Sequence, residues 1–210
     1  IYAGARLGCH SEYRLLDQAT PAIPVPAGLD NHQAAALCFG GLTALDLLYN
    51  RAGLQAGERL LVIGAGGAVG NAAVQLGCYR GAHVSAVCSA AKHERVAAAG
   101  AQLVMDYQRE DALAEPDRYD VIFDTVGRAD SRRLQQALRP GGRAVLVVAD
   151  LPATLMAPLR SCWSSRRLIA GTAAERQQDL ETLAAIVEDG GFVPLIDSVW
   201  PFSRIREASQ

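Results

Sequence analysis

Six short apolar stretches, at 59–64, 83–88, 103–106, 119–124, 143–148 and 168–172, are separated by turns and, in most gaps, by a helix-length segment. Leu60-Leu61-Val62-Ile63 is typical: apolar throughout, too short for a helix, and without the alternation of a strand that has one wet face. Such runs are strands buried on both sides. The segments between them carry helical spacing, as in Val69, Ala73 and Leu76 of 68–79, with further helices predicted over 33–51, 92–99, 130–138 and 177–188. Doubly buried strands alternating with helices imply an α/β fold with a parallel sheet covered on both faces. Right-handed crossovers then make a doubly wound (Rossmann) sheet of six strands, in the order 3-2-1-4-5-6, the natural arrangement.

The flanks do not fit this pattern. Residues 1–31 hold a short strand candidate at 12–16 and the extended run through Pro21, Pro24 and Pro26. Residues 191–210 hold a strand candidate at 195–200 and a helix start at Ser203. Neither flank makes a core, so both are expected to belong to a second domain around the doubly wound unit at 32–190. The chain begins at Ile1 without an initiator Met, which suggests a fragment or a processed product.

Composition narrows the function classes. The 210 residues carry 20 basic and 22 acidic side chains, which disfavours a large basic footprint for nucleic acid. No apolar run approaches the roughly 18–20 residues of a membrane span, and there is no secretory signal at the front. The five cysteines, at 9, 38, 78, 88 and 162, are odd in number and form no C-x-x-C, which argues against a disulfide framework or a zinc knot. A cytoplasmic setting is expected.

The most informative turn is Gly64-Ala65-Gly66-Gly67-Ala68-Val69-Gly70, which joins the first buried strand to its helix. Backbone amides at a helix N-terminus form a phosphate cradle when no side chain stands in the way. Gly67 would allow a pyrophosphate to come close, and Gly70 would let the helix press on the strand. Glycine turns also occur without a ligand; the position of this one, in the first unit of a doubly wound sheet, favours dinucleotide binding.

Nucleotide choice is set at the end of the second strand, where an NAD-selective site places Asp or Glu on the ribose 2′-OH. Here the chain reads Cys88-Ser89-Ala90-Ala91-Lys92, and Lys92 is its only lysine. A hydroxyl and an ammonium suit a 2′-phosphate, so NADP(H) is expected over NAD(H). The alternatives are an N-cap role for Ser89 and a solvated Lys92. Val126 and Gly127 end the fourth strand beside the switch point, and Val148 and Ala149 end the fifth, where the nicotinamide should lie.

Other constellations carry less. Adjacent Cys9 and His10 cannot both aim inward from one strand, and the four histidines lack metal-type spacing, so no metal site is expected. No G-x-S-x-G elbow is present. Cys38, Cys78, Cys88 and Cys162 read as small core residues. Asp46, Asp120 and Asp124 read as helix-surface or strand-end charges.

The ordered set Glu12-Tyr13, Pro24-Val25-Pro26-Ala27-Gly28-Leu29, the run from Ala34 through Cys38-Phe39-Gly40-Gly41-Leu42-Thr43-Ala44, the glycine turn, Val74-Gln75-Leu76, Asp106-Tyr107, Asp124 to Gly127, Pro140-Gly141-Gly142 and Val193-Pro194-Leu195 resembles the medium-chain dehydrogenase/reductase superfamily. Within it the chain is similar to the zinc-lacking quinone oxidoreductase-like branch. That resemblance implies a GroES-like catalytic domain, mostly missing before Ile1, to which the chain returns after 190. It implies Thr43 near the nicotinamide, Gly64, Gly67, Ala68 and Val69 along the pyrophosphate, and Ser89, Lys92 and Tyr107 at the 2′-phosphate and ribose. Zinc-dependent relatives carry a Cys near position 39, where this chain has Phe39.

The expected reaction is hydride transfer from NADPH to a quinone or an activated alkene, with no catalytic side chain assigned. Alternatives are an alcohol dehydrogenase or carbonyl reductase, with or without zinc, and a non-catalytic nucleotide sensor or scaffold. The edge strand Arg167-Leu168-Ile169-Ala170-Gly171-Thr172 is expected to pair with a second copy to form a homodimer.

Overall fold

The computed structural model describes residue 13, residues 15–148 and residues 165–208. Its centre is a six-stranded, all-parallel sheet in the order β3-β2-β1-β4-β5-β6. The strands are β1 (Arg59–Ile63), β2 (His83–Cys88), β3 (Leu103–Asp106), β4 (Tyr119–Asp124), β5 (Leu138–Leu146) and β6 (Arg167–Ala170). The helices are α1 (Asn31–Leu45), α2 (Ala68–Tyr79), α3 (His93–Ala98), α4 (Ser131–Ala137), α5 (Gln177–Glu188) and a last turn, α6 (Ile205–Ala208). The expected sheet and its order are therefore present.

Successive residues of β1 divide between two cores. Leu60 and Val62 join the larger one, with Leu37 and Leu45 of α1, Ala73 and Leu76 of α2, and Leu180 and Leu183 of α5. Leu61 points the other way, to Ile122, Leu134 of α4, Leu146 and Leu168. That two-sided burial explains why the strands lack polar alternation.

Several boundaries differ from the sequence reading. Helix α1 starts at Asn31, two residues early, because Asp30 caps it in a reciprocal capping box with Gln33. Its far end passes into a π-helical turn, Asp46–Arg51, whose Ala52 amide bonds to Leu47 rather than to the residue four back. The segment expected as one helix over 92–99 is a 3₁₀ turn, Ala90–Lys92, followed by α3. Strand β5 begins at Leu138, five residues before the expected start at 143, and takes in Pro140 and Gly141 between the expected helix and strand. Its pairing shifts register between Tyr119 and Val121, an irregularity that admits proline to a strand.

Strand β6 stops at Ala170 because Gly171 turns to φ +134°. The strand candidate at 12–16 lies partly outside the described residues, and Leu15 and Leu16 are in no strand. Residues 195–200 are likewise in no strand. Their neighbour Val193 is held to α2 instead: Gln75 donates to its carbonyl at 3.0 Å and accepts from its amide at 2.8 Å.

Candidate functional site

The loop after β1 is bound to the neighbouring strands on both sides. The amides of Gly64 and Ala65 both donate to the Val87 carbonyl of β2, each at 3.0 Å. On the β4 side, Thr125 Oγ1 donates to the Ile63 carbonyl at 2.9 Å. Asp124 is fully buried, and its Oδ1 accepts from the amides of Val126 at 2.8 Å and Gly127 at 3.0 Å. Asp124 ends β4, as expected from sequence, but as a buried anchor for the turn rather than an open charge. Its other oxygen, Oδ2, has no partner among the described residues.

The glycines divide by task. Gly64 sits at φ +84°, and a side chain there would overlap Thr125 and Val126, so its bareness serves packing across the β1–β4 crevice. At Gly70 a Cβ would overlap the Gly64 carbonyl and stand 2.8 Å from Ala65 Cα, which is why α2 can start so close to the strand. Gly67 is different: its nearest neighbour would be the Gly64 oxygen at 3.7 Å, and the residue is exposed. Gly67 also occupies the N-cap of α2 without any side-chain hydrogen bond to the first turn. Open space over uncapped amides, at the positive end of a 12-residue helix, suits a diphosphate. Ala68 and half-buried Val69 form that first turn.

Thr43 lies on α1 one turn beyond Gly40, the residue that packs against Ala68. Val126 and Val148 are exposed, 44% and 58%, at the ends of β4 and β5. Gly127, at φ +71°, would place a Cβ 2.5 Å from the Val148 carbonyl oxygen, so these two turns are pressed together. Ala149 lies outside the described residues.

At the end of β2 the geometry is more specific than the sequence suggested. Ser89 precedes the 3₁₀ turn, yet its side chain caps nothing. The amide of exposed Tyr107 donates to the Cys88 carbonyl at 3.3 Å, which draws Tyr107 to the same strand end. Lys92 reaches back over Gly66, donating from Nζ to its carbonyl at 3.2 Å, and the Lys92 stem fills the space a side chain at 66 would need. Arg95, which sequence reasoning missed, donates from Nη2 to that same oxygen at 3.4 Å. The sequence offered only its spacing, three residues after Lys92, and nothing set it apart from the chain's other arginines. Burial, and then the Asp106 carboxylate, push the Cys88 thiol above its ordinary range, while Lys92 and Arg95 pull it the other way.

Among the described residues no three His, Cys, Asp or Glu side chains gather as a metal site. Cys9, His10 and Cys162 lie outside them. Cys88 is buried in the larger core, and Cys38 and Cys78 are half-buried against it, with thiols bonded to the carbonyls of Ala34 and Gly100. Asp46, expected on a surface, is fully buried; Asp120 is the one of the three that keeps a partly open strand-end position.

Residues 99–210 match the family model described as zinc-binding dehydrogenase. The chain belongs to that family. Within the medium-chain dehydrogenase/reductase superfamily it falls in the quinone-oxidoreductase-like branch. It is 31% identical over 207 residues to an NADPH-dependent alkenal/one oxidoreductase of Arabidopsis thaliana, covering 97% of this chain and 49% of that one. A quinone oxidoreductase from Coxiella burnetii superposes with a TM-score of 0.78 at 26% identity, covering 89% of this chain and 58% of that one. A structure described as an NAD-dependent alcohol dehydrogenase superposes at 0.82 with 27% identity, covering 96% and 61%. The chain thus spans about half to three-fifths of the length of these proteins.

Proposed function

We propose that this chain is the nucleotide-binding part of an NADPH-dependent oxidoreductase that reduces a quinone or an activated alkene. The observation that carries this reading is the pairing of an open, uncapped α2 N-terminus at Gly67 with a cationic head, Lys92 Nζ, poised over the same loop. The names of the alkenal/one and quinone oxidoreductase relatives support the substrate class. Bound NADPH supplies the hydride, and the protein supplies binding and orientation.

In this reading the amides after Gly67 hold the pyrophosphate. Ser89, Lys92 and Tyr107 hold the adenosine ribose and its phosphate. Thr43, Val126, Gly127 and Val148 border the nicotinamide half. The exposed apolar faces of Val126 and Val148, with Phe39 on α1, offer a water-poor lining for the ring and its acceptor. A homodimer through β6 and a cytoplasmic setting complete the proposal. Among the described residues the free thiols of Cys78 and Cys88 support a reducing compartment. Among the described residues no helix is long and apolar enough to cross a membrane.

Calorimetric titration with NADPH and NADH tests the cofactor assignment. NADPH should bind more tightly by about 1.5–3 kcal/mol, the scale of one or two charge-assisted bonds. Lys92→Ala should weaken NADPH binding and leave NADH nearly unchanged; equal affinities in the wild type would sink the assignment. NADPH oxidation screened against quinones, enones and aldehydes then separates the proposed reaction from carbonyl reduction and from a non-catalytic sensor.

A further inference from the structure

Two cations converging on one neutral oxygen are a poor final arrangement. Lys92 Nζ and Arg95 Nη2 both donate to the Gly66 carbonyl, at 3.2 and 3.4 Å, and although its two lone pairs can accept both bonds, a neutral oxygen offsets neither positive charge. Among the described residues the carboxylate in reach of Arg95 is Asp197, whose Oδ1 lies 3.6 Å from Nη1. That pair is weak by construction, since Asp197 is 86% exposed and Arg95 33%. At the end of adjacent β3, the buried Asp106 carboxylate is already engaged by the Gln108 amide at 3.1 Å and by Arg109 at 3.8 Å. The loop therefore presents converging positive heads beside Gly66, with one loosely held, solvent-exposed carboxylate to compete for them.

We infer that Arg95 is a second ligand for the phosphate on the adenosine ribose, and that Asp197 holds this guanidinium until the phosphate arrives. The inference rests on the cofactor reading above and names a specificity residue and its competitor within that site. A phosphate dianion offsets both charges, which the neutral carbonyl does not, and the guanidinium fork can engage two of its oxygens at once. When Arg95 turns to the phosphate it leaves Asp197, which lies four residues beyond the Val193 contact to Gln75. Occupancy of the nucleotide site is thereby linked to the segment that leaves the Rossmann unit after Gly190.

The test is calorimetric binding of adenosine 2′,5′-bisphosphate and of 5′-AMP to the intact protein, with no turnover required. The wild type should prefer the bisphosphate by more than tenfold. Arg95→Gln should cut that preference about tenfold, equivalent to 1.4 kcal/mol, and leave 5′-AMP affinity unchanged, while Arg95→Lys should restore part of it. Asp197→Asn should strengthen bisphosphate binding two- to threefold, and this gain should vanish when Arg95→Gln is also present. Should the wild type show no preference, the cofactor reading itself falls, and this inference with it. Should Lys92→Ala reduce the preference while Arg95→Gln, Arg95→Lys and Asp197→Asn do not change it, the cofactor reading stands and the role of Arg95 is overturned. If Arg95→Gln fails to fold, Arg95→Lys and Asp197→Asn decide on the same criteria.

Discussion

Gly40 of α1 packs against the carbonyl of Ala68, the first residue of α2: a Cβ at position 40 would stand 2.8 Å from that oxygen. The helix carrying Thr43 therefore braces the phosphate-cradle turn directly, backbone against backbone. Gly40→Ala should force the two helices apart at a cost of about 1–3 kcal/mol, and Gly40→Val should cost more. Because the displaced atoms belong to the first turn of α2, nucleotide affinity should fall together with stability. Thermal melting and NADPH titration of the same samples check this. A Gly40→Ala protein with wild-type affinity would show that α1 does not position the turn.

Arg143 gathers four acceptors around one half-buried guanidinium. It donates to the Ala52 carbonyl at 2.7 Å, to the Gly53 carbonyl at 3.0 Å, and to Glu58 Oε1 and Oε2 at 2.5 and 2.7 Å. The cluster joins β5 to the loop that leads from the π-helical turn into β1. Burial alone would raise the Glu58 pKa, but the Arg143 and Gln55 hydrogen bonds outweigh it and hold the carboxyl below its ordinary 4.5. Its contribution to stability is therefore present above that value and is lost as pH falls through the lower folded value. Arg143→Ala should cost about 2–4 kcal/mol, since it strands two carbonyls and a half-buried carboxylate. Denaturant unfolding at pH 7 measures the loss.

The sheet was legible because each strand is apolar along its whole length and each crossover carries its own helical spacing. Strand β5 was misread at its start because Pro140 and Gly141 are turn residues nearly everywhere except at a register shift such as the one opposite Tyr119 and Val121. The burial of Asp46 could not be seen in sequence: one partner, Arg51, is five residues away, but another, the Ala174 amide, is 128 away. Around the loop, Lys92 stood out as the only lysine, whereas Arg95 was hidden among many arginines and emerged only when its head met the Gly66 carbonyl. Asp124 resembled any strand-end acid until its bonds to the Val126 and Gly127 amides were visible.

Asp46 gives a second acid-sensitive tie. Its carboxylate accepts from Arg51 Nε at 3.0 Å, Asn50 Nδ2 at 3.2 Å and the Ala174 amide at 3.0 Å, so the π-helical turn is fastened to the segment between β6 and α5. Burial by itself would raise this pKa; the Ala174, Asn50 and Arg51 bonds together prevail and bring it below the ordinary 3.8. Stability from this group is again full above its unfolded value and lost as pH falls through the lower folded one. Asp46→Asn should destabilise the protein at pH 7 by about 1–3 kcal/mol and flatten the acid limb of the stability curve below pH ~4. An acid limb identical in the variant and the wild type would remove Asp46 from the account.

The proposed dimer depends on β6, one of the two edges of the sheet. Its four residues carry no charge between Arg167 and Ala170, and Leu168 turns inward to the second core while Ile169 packs against the first. An apolar strand at the edge of the described sheet can pair with a second strand, and a two-fold partner is the commonest way to supply one. A charge at Leu168 would damage the core, so the probe must act on the backbone. Arg167→Pro places proline at the first strand residue, where a sheet tolerates it best, and Ala170→Pro interrupts the opposite end. Sedimentation of the intact wild type at about 50 μM, well above a low-micromolar dimer constant, should give a two-chain mass. Arg167→Pro should shift it to one chain while keeping a cooperative melt, and Ala170→Pro should do so at some further cost in stability. A wild type that sediments as a single chain under these conditions would end the proposal.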